Sequence, residues 1–173
     1  MDKGLVHIYY GNGKGKTSSA IGLAVRSAGA NLKVLFARFL KDESSSELVV
    51  LKEIKNIFLC DCPKKLPFYF TMTEQQKAEY NKVAHDLYNY VTSNYDKYDV
   101  IVMDEFIDVF ALGIFTTKEM VDFIRLKPTS VELVMTGHSL PEELAQYADY
   151  VSHIVAQKHP YDNGIVARRG IEF

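Results

Sequence analysis

Eight residues between positions 11 and 18 carry the most recognisable chemistry in this sequence. They alternate glycine with polar residues and end in a lysine followed by two hydroxyl side chains. Backbone N–H groups of a glycine-rich turn at a helix start converge on an anion, because no Cβ atom blocks the approach. We predict that this set binds ATP, and it comprises Gly11, Asn12, Gly13, Lys14, Gly15, Lys16, Thr17 and Ser18.

The loop departs by one residue from the usual phosphate-loop pattern, G-x-x-x-x-G-K-[ST]. Tyr10 stands at the first glycine position and Gly11 follows it, so one residue fewer separates the glycines. Lys16 is expected to reach the terminal phosphates as a catalytic residue, and Thr17 supplies a hydroxyl for Mg²⁺. The alternative is a glycine-rich turn with two incidental lysines, but a predicted strand before it and a predicted helix after it favour nucleotide binding.

A second candidate site is the carboxylate pair Asp104 and Glu105. Asp104 follows four apolar residues of a predicted central strand, which puts it at the carboxyl end of the sheet beside the first loop. We predict that Asp104 binds Mg²⁺ together with Thr17, and that Glu105 reaches the ribose of ATP, the metal or a water. Acidic residues also end strands without any function, so this prediction depends on the loop.

The elements that position these residues are predicted from alternating strand and helix patterns. They predict an α/β fold with a mostly parallel central sheet flanked by helices. The predicted strands span 5–9, 33–40, 57–60, 99–105, 131–137 and 151–155. The predicted helices span 17–28, 47–54, 73–94, 117–124 and 141–147, and a polar tail follows over 157–173.

Length and composition favour one domain and exclude several protein classes. The chain has 173 residues, 47% hydrophobic and 24% charged, which predicts a single domain over residues 1–173. Twenty Lys and Arg against 22 Asp and Glu argue against a nucleic-acid partner or a charged membrane surface. No apolar run reaches the roughly 20 residues of a membrane span. Two cysteines fit a reducing compartment, so we expect a cytoplasmic protein.

Several motifs together resemble the ATP:corrinoid adenosyltransferase family. They are the loop at 11–17, Arg-Phe-Leu-Lys at 38–41, Val-Met-Asp-Glu at 102–105, Thr-Gly at 136–137 and the ending at 158–173. The resemblance covers nearly the whole chain and implies a P-loop NTPase (RecA-like) domain. It implies an enzyme that transfers the 5′-deoxyadenosyl group of ATP to the cobalt of a reduced corrinoid and releases triphosphate. It also implies a homodimer and an electron-donating reductase as partners.

The same resemblance assigns roles to three further residues. Phe70-Thr71-Met72 is similar to the family's Phe-Thr-Trp stretch, which implies that Phe70 and Met72 contact the corrinoid. Phe70 would be catalytic, as the wedge that displaces the lower axial ligand of cobalt. His138 follows the Thr-Gly pair, where many relatives have arginine, which implies a contact with ATP. The residues alone leave an alternative open for each: Phe70 can be a core aromatic under a loop, and His138 can be a polar loop residue.

The reaction that the resemblance implies needs no catalytic base. Cobalt(I) is itself a nucleophile, so the enzyme must only orient ATP and neutralise the leaving triphosphate, a task for Lys14, Lys16 and Mg²⁺. Two alternatives use the same residues: a P-loop kinase or ATPase that acts at the γ-phosphate, and a module that senses ATP without turnover. The products distinguish them, since adenosyl transfer releases triphosphate and phosphoryl transfer leaves ADP.

Overall fold

The structure, a computed structural model, describes residues 2–63 and 65–173. Within them the strands are β1 (Val6–Tyr10), β2 (Val34–Arg38), β3 (Ile57–Leu59), β4 (Val100–Asp104), β5 (Glu132–Gly137) and β6 (Tyr150–His153). The α-helices there are α1 (Lys16–Gly29), α2 (Glu47–Leu51), α3 (Glu74–Thr92), α4 (Phe106–Ala111), α5 (Thr117–Arg125) and α6 (Glu142–Ala145). Short 3-10 turns lie at Tyr69–Thr71, Tyr95–Lys97 and Pro160–Asn163. Among these helices none is both long and apolar enough for a membrane crossing.

The strands form one parallel sheet in the order β3-β2-β4-β5-β1-β6. The predicted α/β fold with a parallel central sheet is therefore confirmed. All five residues of β4 are buried, as its continuous apolar run indicates. Because parallel strands end at the same edge, the segments that follow β2, β4, β5 and β1, which are neighbours in the sheet, meet there.

Helices pack on both faces of the sheet. On one face, α1 presents three buried alanines, Ala20, Ala24 and Ala28, to a cluster that includes strand residues of β2, β4 and β5. These small side chains allow α1 to pack close to the sheet. Because α1 starts at the end of the glycine-rich loop, this packing also positions the loop. On the other face, the rings of Phe106 and Phe123 pack together with centroids 5.1 Å apart, and α3, α4 and α5 contribute to that core.

Several element bounds differ from the sequence prediction, and two of these differences lie beside the predicted site. No helix is predicted between residues 105 and 117, but α4 starts directly after β4. Glu105 has a left-handed φ of 58° and makes no side-chain cap, so the usual signal of a helix start is missing. The strand predicted over 33–40 ends earlier, at Arg38, because Leu40 has a left-handed φ of 51° that no strand accommodates.

Candidate functional site

The glycines of the loop between β1 and α1 serve two different purposes. A Cβ atom at Gly11 would collide with the carbonyl oxygen of Ile154, and one at Gly13 would lie 2.8 Å from the carbonyl carbon of Val155. These two glycines therefore let the chain that follows β6 pass directly against the loop. Gly15 has a φ of 123° and open space around its Cβ position, so its backbone conformation, not a close contact, favours glycine there.

Hydrogen bonds brace the loop from the same segment. The Gly13 N–H donates to the Ile154 carbonyl at 2.9 Å, and the Ala156 N–H donates to Asn12 Oδ1 at 3.1 Å. The Asn12 side chain, predicted to bind ATP, is thus used to shape the loop. Ser18 is exposed on the first turn of α1.

The two loop lysines have different partners. Lys16 Nζ donates to the carbonyl oxygens of Gly11 at 2.7 Å and Gly13 at 3.0 Å, which places its ammonium within the loop. Burial lowers the pKa of Lys16, and nearby carboxylates oppose that shift. Lys14 is more exposed and forms an ion pair with Glu172 at 2.9 Å. A bound triphosphate would offer both ammonium groups stronger acceptors.

A buried carboxylate, Asp104, lies at the end of β4 and is 0% exposed. Its Oδ1 accepts hydrogen bonds from the hydroxyls of Thr17 at 2.9 Å and Thr136 at 2.7 Å. Its Oδ2 accepts one from Lys41 Nζ at 2.7 Å. The structure thus brings Thr17 and Asp104 together, as predicted, and adds a lysine to which the sequence motif at 38–41 gave no role.

Glu105 completes this charged group, with its Oε1 at 3.4 Å from Lys41 Nζ. Burial raises the pKa of Glu105 to about 7, and the Lys41 ammonium partly offsets that shift. Burial alone would lower the pKa of Lys41, but the carboxylates of Asp104 and Glu105 outweigh it, and the pKa is raised. Lys41 is therefore a charged ammonium that compensates two carboxyl groups.

The donors at this site fit Mg²⁺, which prefers oxygen ligands. The Thr17 hydroxyl and the Asp104 carboxylate are in direct contact, and the position of the Lys41 ammonium shows that positive charge is favoured beside them. Across residues 2–63 and 65–173 there is no cluster of three or more His, Cys, Asp and Glu side chains suited to a metal ion. A metal held by Thr17 and Asp104 would therefore complete its coordination with substrate oxygens and water.

The chain between β2 and Asp42 fixes the start of the Lys41 side chain. The N–H of Leu40, the residue with the left-handed φ, donates to the buried Tyr80 hydroxyl at 2.8 Å. Arg38 closes the turn, since its Nη2 donates to the Asp42 carbonyl at 2.6 Å. The backbone on either side of Lys41 is thus held by contacts that do not involve the Lys41 side chain.

His138 follows β5 and is paired with Asp108 of α4. The His138 N–H donates to Asp108 Oδ1 at 2.7 Å, and His138 Nδ1 lies 2.9 Å from Asp108 Oδ2. The hydrogen bond to Asp108 raises the pKa of His138, against the effect of burial. Asp108 could not be predicted as a site residue from the sequence, because the helix that carries it has no capping signal.

A cavity of about 1110 Å³ adjoins part of this site. Thr17 and Ser18 line it, and so do Phe68 and Phe70, whose exposed fractions are 85% and 86%. Its other lining residues include Leu40, Lys41, Glu105, Asp108, His138 and the segment from Gly170 to Phe173. The cavity therefore joins the phosphate loop to a pair of exposed aromatic rings.

Met72 differs from Phe70 in its surroundings. It is 6% exposed, packs in the core cluster and is not part of the cavity lining. Phe70 lies within the 3-10 turn Tyr69–Thr71 and is exposed, whereas Met72 directly follows that turn and is buried. A direct contact between Met72 and the corrinoid stays a prediction. The other strongly exposed aromatic ring at the cavity is that of Phe68, which precedes the Phe-Thr-Met stretch.

The predicted polar tail returns to the cavity. Glu172 binds Lys14, as described above, and also Arg168 at 3.0 Å. Ser46 Oγ donates to the Phe173 carbonyl at 3.1 Å. The contacts of Glu172 with Lys14 and of Phe173 with Ser46 bring the end of the C-terminal motif at 158–173 next to the glycine-rich loop and the cavity.

Comparisons with known proteins agree with this geometry. The family model described as ATP:corrinoid adenosyltransferase BtuR/CobO/CobP matches residues 2–173. The corrinoid adenosyltransferase of Escherichia coli K12 is 24% identical over 174 residues, which cover 99% of this chain and 87% of that protein. That of Pseudomonas aeruginosa is 26% identical, with 99% and 85% covered, and the corrinoid adenosyltransferase CobA of Salmonella typhimurium is 25% identical, with 99% and 87% covered. The predicted resemblance and the prediction of an enzyme are confirmed, and the chain belongs to the ATP:corrinoid adenosyltransferase family.

Proposed function

We propose that this chain transfers the 5′-deoxyadenosyl group of ATP to the cobalt(I) of a reduced corrinoid. The electron pair of cobalt(I) forms the bond to C5′, while the C5′–O bond breaks and its electron pair leaves with triphosphate. No proton moves, so no protein base is required. The observation that carries the proposal is the cavity shared by the phosphate loop and two exposed aromatic rings, in a chain of this family.

The phosphate loop is proposed to bind the triphosphate. Charge accumulates on the triphosphate as the C5′–O bond breaks, and preorganised donors stabilise it there. The backbone amides of residues 11–18 and the ammonium groups of Lys14 and Lys16 serve this purpose. Ser18, on the exposed first turn of α1, is proposed to contact the same phosphates.

The strand-end residues are proposed to complete the nucleotide site. Thr17 and Asp104 would hold Mg²⁺, which when bound supplies further charge neutralisation on the leaving triphosphate. Glu105, beside this pair, is proposed to orient the ribose. The raised pKa of His138 favours its protonated form, which can donate to a phosphate oxygen.

The exposed aromatic segment is proposed to receive the corrinoid. Phe70 would press against the lower face of the ring and displace the axial ligand of cobalt(II), which makes the four-coordinate metal easier to reduce. Its exposure and its place on the cavity wall support this role. Met72 is proposed to support the 3-10 turn that presents Phe70, since it is buried beneath that segment.

The proposal also covers the domain organisation of the chain, its cellular location and its protein partners. One sheet joins the first strand of the chain to the last, which supports a single domain over residues 1–173. We propose a cytoplasmic homodimer that obtains electrons from a reductase. The half-exposed Tyr150 and Val151 on the edge strand β6 offer a surface for the second copy.

The decisive experiment supplies ATP, Mg²⁺ and chemically reduced cobalamin and follows the light-sensitive cobalt–carbon product. We expect that product together with triphosphate, and only slow hydrolysis when ATP is given alone. Rapid formation of ADP and phosphate without corrinoid would instead identify a kinase or ATPase. Tight ATP binding with no product of either kind would identify a sensing module.

A further inference from the structure

The Lys41 ammonium lies where the family function requires a different cation. Its Nζ is 2.7 Å from Asp104 Oδ2, 3.0 Å from Thr17 Oγ1 and 3.4 Å from Glu105 Oε1. Thr17 and Asp104 are the two side chains that would hold Mg²⁺. One position at the end of β4 is thus surrounded by oxygen atoms and already contains a positive charge supplied by the chain.

Two cations cannot share this position. Mg²⁺ binds its oxygen ligands at about 2.0–2.1 Å, and an ammonium within hydrogen-bonding distance of the same oxygens would repel it at close range. Asp104 is fully buried, so it needs a positive partner at all times. Lys41 fills that need without a ligand, and its side chain is four-fifths buried in doing so.

The Lys41 ammonium can move away from Asp104 while the backbone of its segment stays in place. Its backbone is fixed by the Leu40–Tyr80 hydrogen bond, and a flexible four-carbon stem carries the charge. Lys41 also lines the cavity together with Thr17 and Ser18. A side chain released from Asp104 therefore has space on the side where a triphosphate would lie.

We propose that Lys41 is a tethered cation that holds the metal position between Thr17 and Asp104, and that it exchanges with the divalent ion of the metal–nucleotide complex and then pairs with the triphosphate. The idea rests on the proposed function only as far as that function requires a metal-bound nucleotide. The exchange gives Asp104 a positive partner before and after substrate binding. It also makes metal binding weak until a triphosphate is present to accept the ammonium.

Metal binding without nucleotide tests the proposal. Mn²⁺ is titrated into the purified protein and its bound fraction is measured by electron paramagnetic resonance, with Mg²⁺-dependent thermal unfolding as a second measurement. Lys41→Met removes the competing charge, so we expect Mn²⁺ to bind at least about tenfold more tightly than to the unmodified protein. We also expect Mg²⁺ to raise the unfolding temperature of this variant and to leave that of the unmodified protein nearly unchanged.

Three further variants make the test specific. Lys77→Met removes an ammonium that pairs with Glu74 at 2.8 Å on the surface of α3, and it should leave Mn²⁺ binding unchanged. Lys41→Met combined with Asp104→Asn should lose the gained affinity. Lys41→Gln keeps a hydrogen-bond donor for Asp104 and should show the same gain if Lys41→Met does not fold.

Two results would overturn the proposal: a neutral residue at position 41 that leaves Mn²⁺ affinity unchanged, or a gain in affinity that persists without Asp104. Neither measurement uses a corrinoid or requires turnover. Failure of the adenosyl-transfer assay and failure of this inference can therefore be told apart.

Discussion

The cavity has two sides that are built in different ways. On the nucleotide side, Thr17 and Lys41 line the cavity, and behind them lie the buried Asp104, which contacts both, and Lys16, the chain neighbour of Thr17. The Asp104 carboxylate has a partner on each oxygen. The aromatic side consists of Phe68 and Phe70, which are exposed and belong to a short turn before α3. The nucleotide side is thus built around a carboxylate at the end of a central strand, whereas the aromatic side belongs to a segment outside the sheet.

This contrast has a measurable meaning. A change on the nucleotide side removes partners from buried polar groups, so stability and activity should fall together. A change on the aromatic side removes a solvent-exposed ring, so activity should fall while the free energy of unfolding hardly changes. A variant on the aromatic side that also lowers the free energy of unfolding would show that the two sides are coupled.

The largest effect is expected from Lys16→Ala. Lys16 supplies charge to the proposed triphosphate site and holds the carbonyls of Gly11 and Gly13, so adenosyl transfer should fall by at least about 10²-fold. Initial rates with chemically reduced cobalamin measure the loss. Lys97→Ala, which removes an exposed ammonium that bonds only Asn94, serves as the control. Near-normal turnover in Lys16→Ala would remove the loop from the mechanism.

Tyr80→Phe should show that the nucleotide side is continuous with the core. The variant leaves the Leu40 N–H without its acceptor, which should lower the free energy of unfolding by about 1–2 kcal/mol. Urea denaturation measures this loss, and Tyr161→Phe on the exposed tail is the matched control. Equal stability of the two variants would mean that Leu40 keeps its left-handed conformation without help.

Phe70→Ala tests the aromatic side. We expect a loss of about tenfold when the reaction starts from cobalt(II) with a reductase, from the lost apolar contact of one ring. The loss should be smaller with cobalt(I) made chemically, because cobalt(I) keeps no lower axial ligand. The free energy of unfolding should stay unchanged, whereas Met72→Ala should lower it by about 2–3 kcal/mol as a buried methionine.

An equal loss in both assays would instead assign Phe70 to packing or to corrinoid binding. Phe68→Ala sharpens the result. If Phe68 contacts the corrinoid together with Phe70, its variant should resemble Phe70→Ala in both assays. An unchanged rate would limit the aromatic side to one ring.

The smallest effect is expected at His138, which lies at the cavity but is largely exposed. The Asp108 carboxylate raises its pKa above 6.5, so Asp108→Asn should lower the pKa that a nuclear magnetic resonance titration of the imidazole reports. The pairing stabilises the folded state fully below pH 6.5 and less as the pH rises through the folded-state pKa. An unchanged titration would show that the pair does not persist in solution.

The nucleotide side could be predicted from the sequence, because its residues come from local patterns. Asp104 follows an uninterrupted apolar strand, and Thr17 follows the glycines that open a helix. Both positions are fixed by the parallel sheet once the order of elements is known. Lys41 lies in the motif at 38–41, but no local pattern indicates its role, because its contact with Asp104 spans 63 residues and depends on the left-handed Leu40.

The aromatic side and the tail could not be predicted in the same way. Phe68, Phe70 and Met72 are all large and apolar, and periodicity does not decide which of them is buried when the segment forms a 3-10 turn. The polar character of residues 157–173 indicated only an exposed tail. Its return to Lys14 and Ser46 depends on pairings that no local pattern records.

The close packing of Gly11 and Gly13 against Ile154 and Val155 has a consequence for folding during synthesis. The loop motif at 11–18 leaves the ribosome well before the segment that supports it, at residues 154 and 155. β1 pairs on both sides with late strands, β5 and β6. A nascent chain therefore carries the full motif long before it can form a nucleotide site, and a product shortened before residue 154 would keep the motif and lose the site.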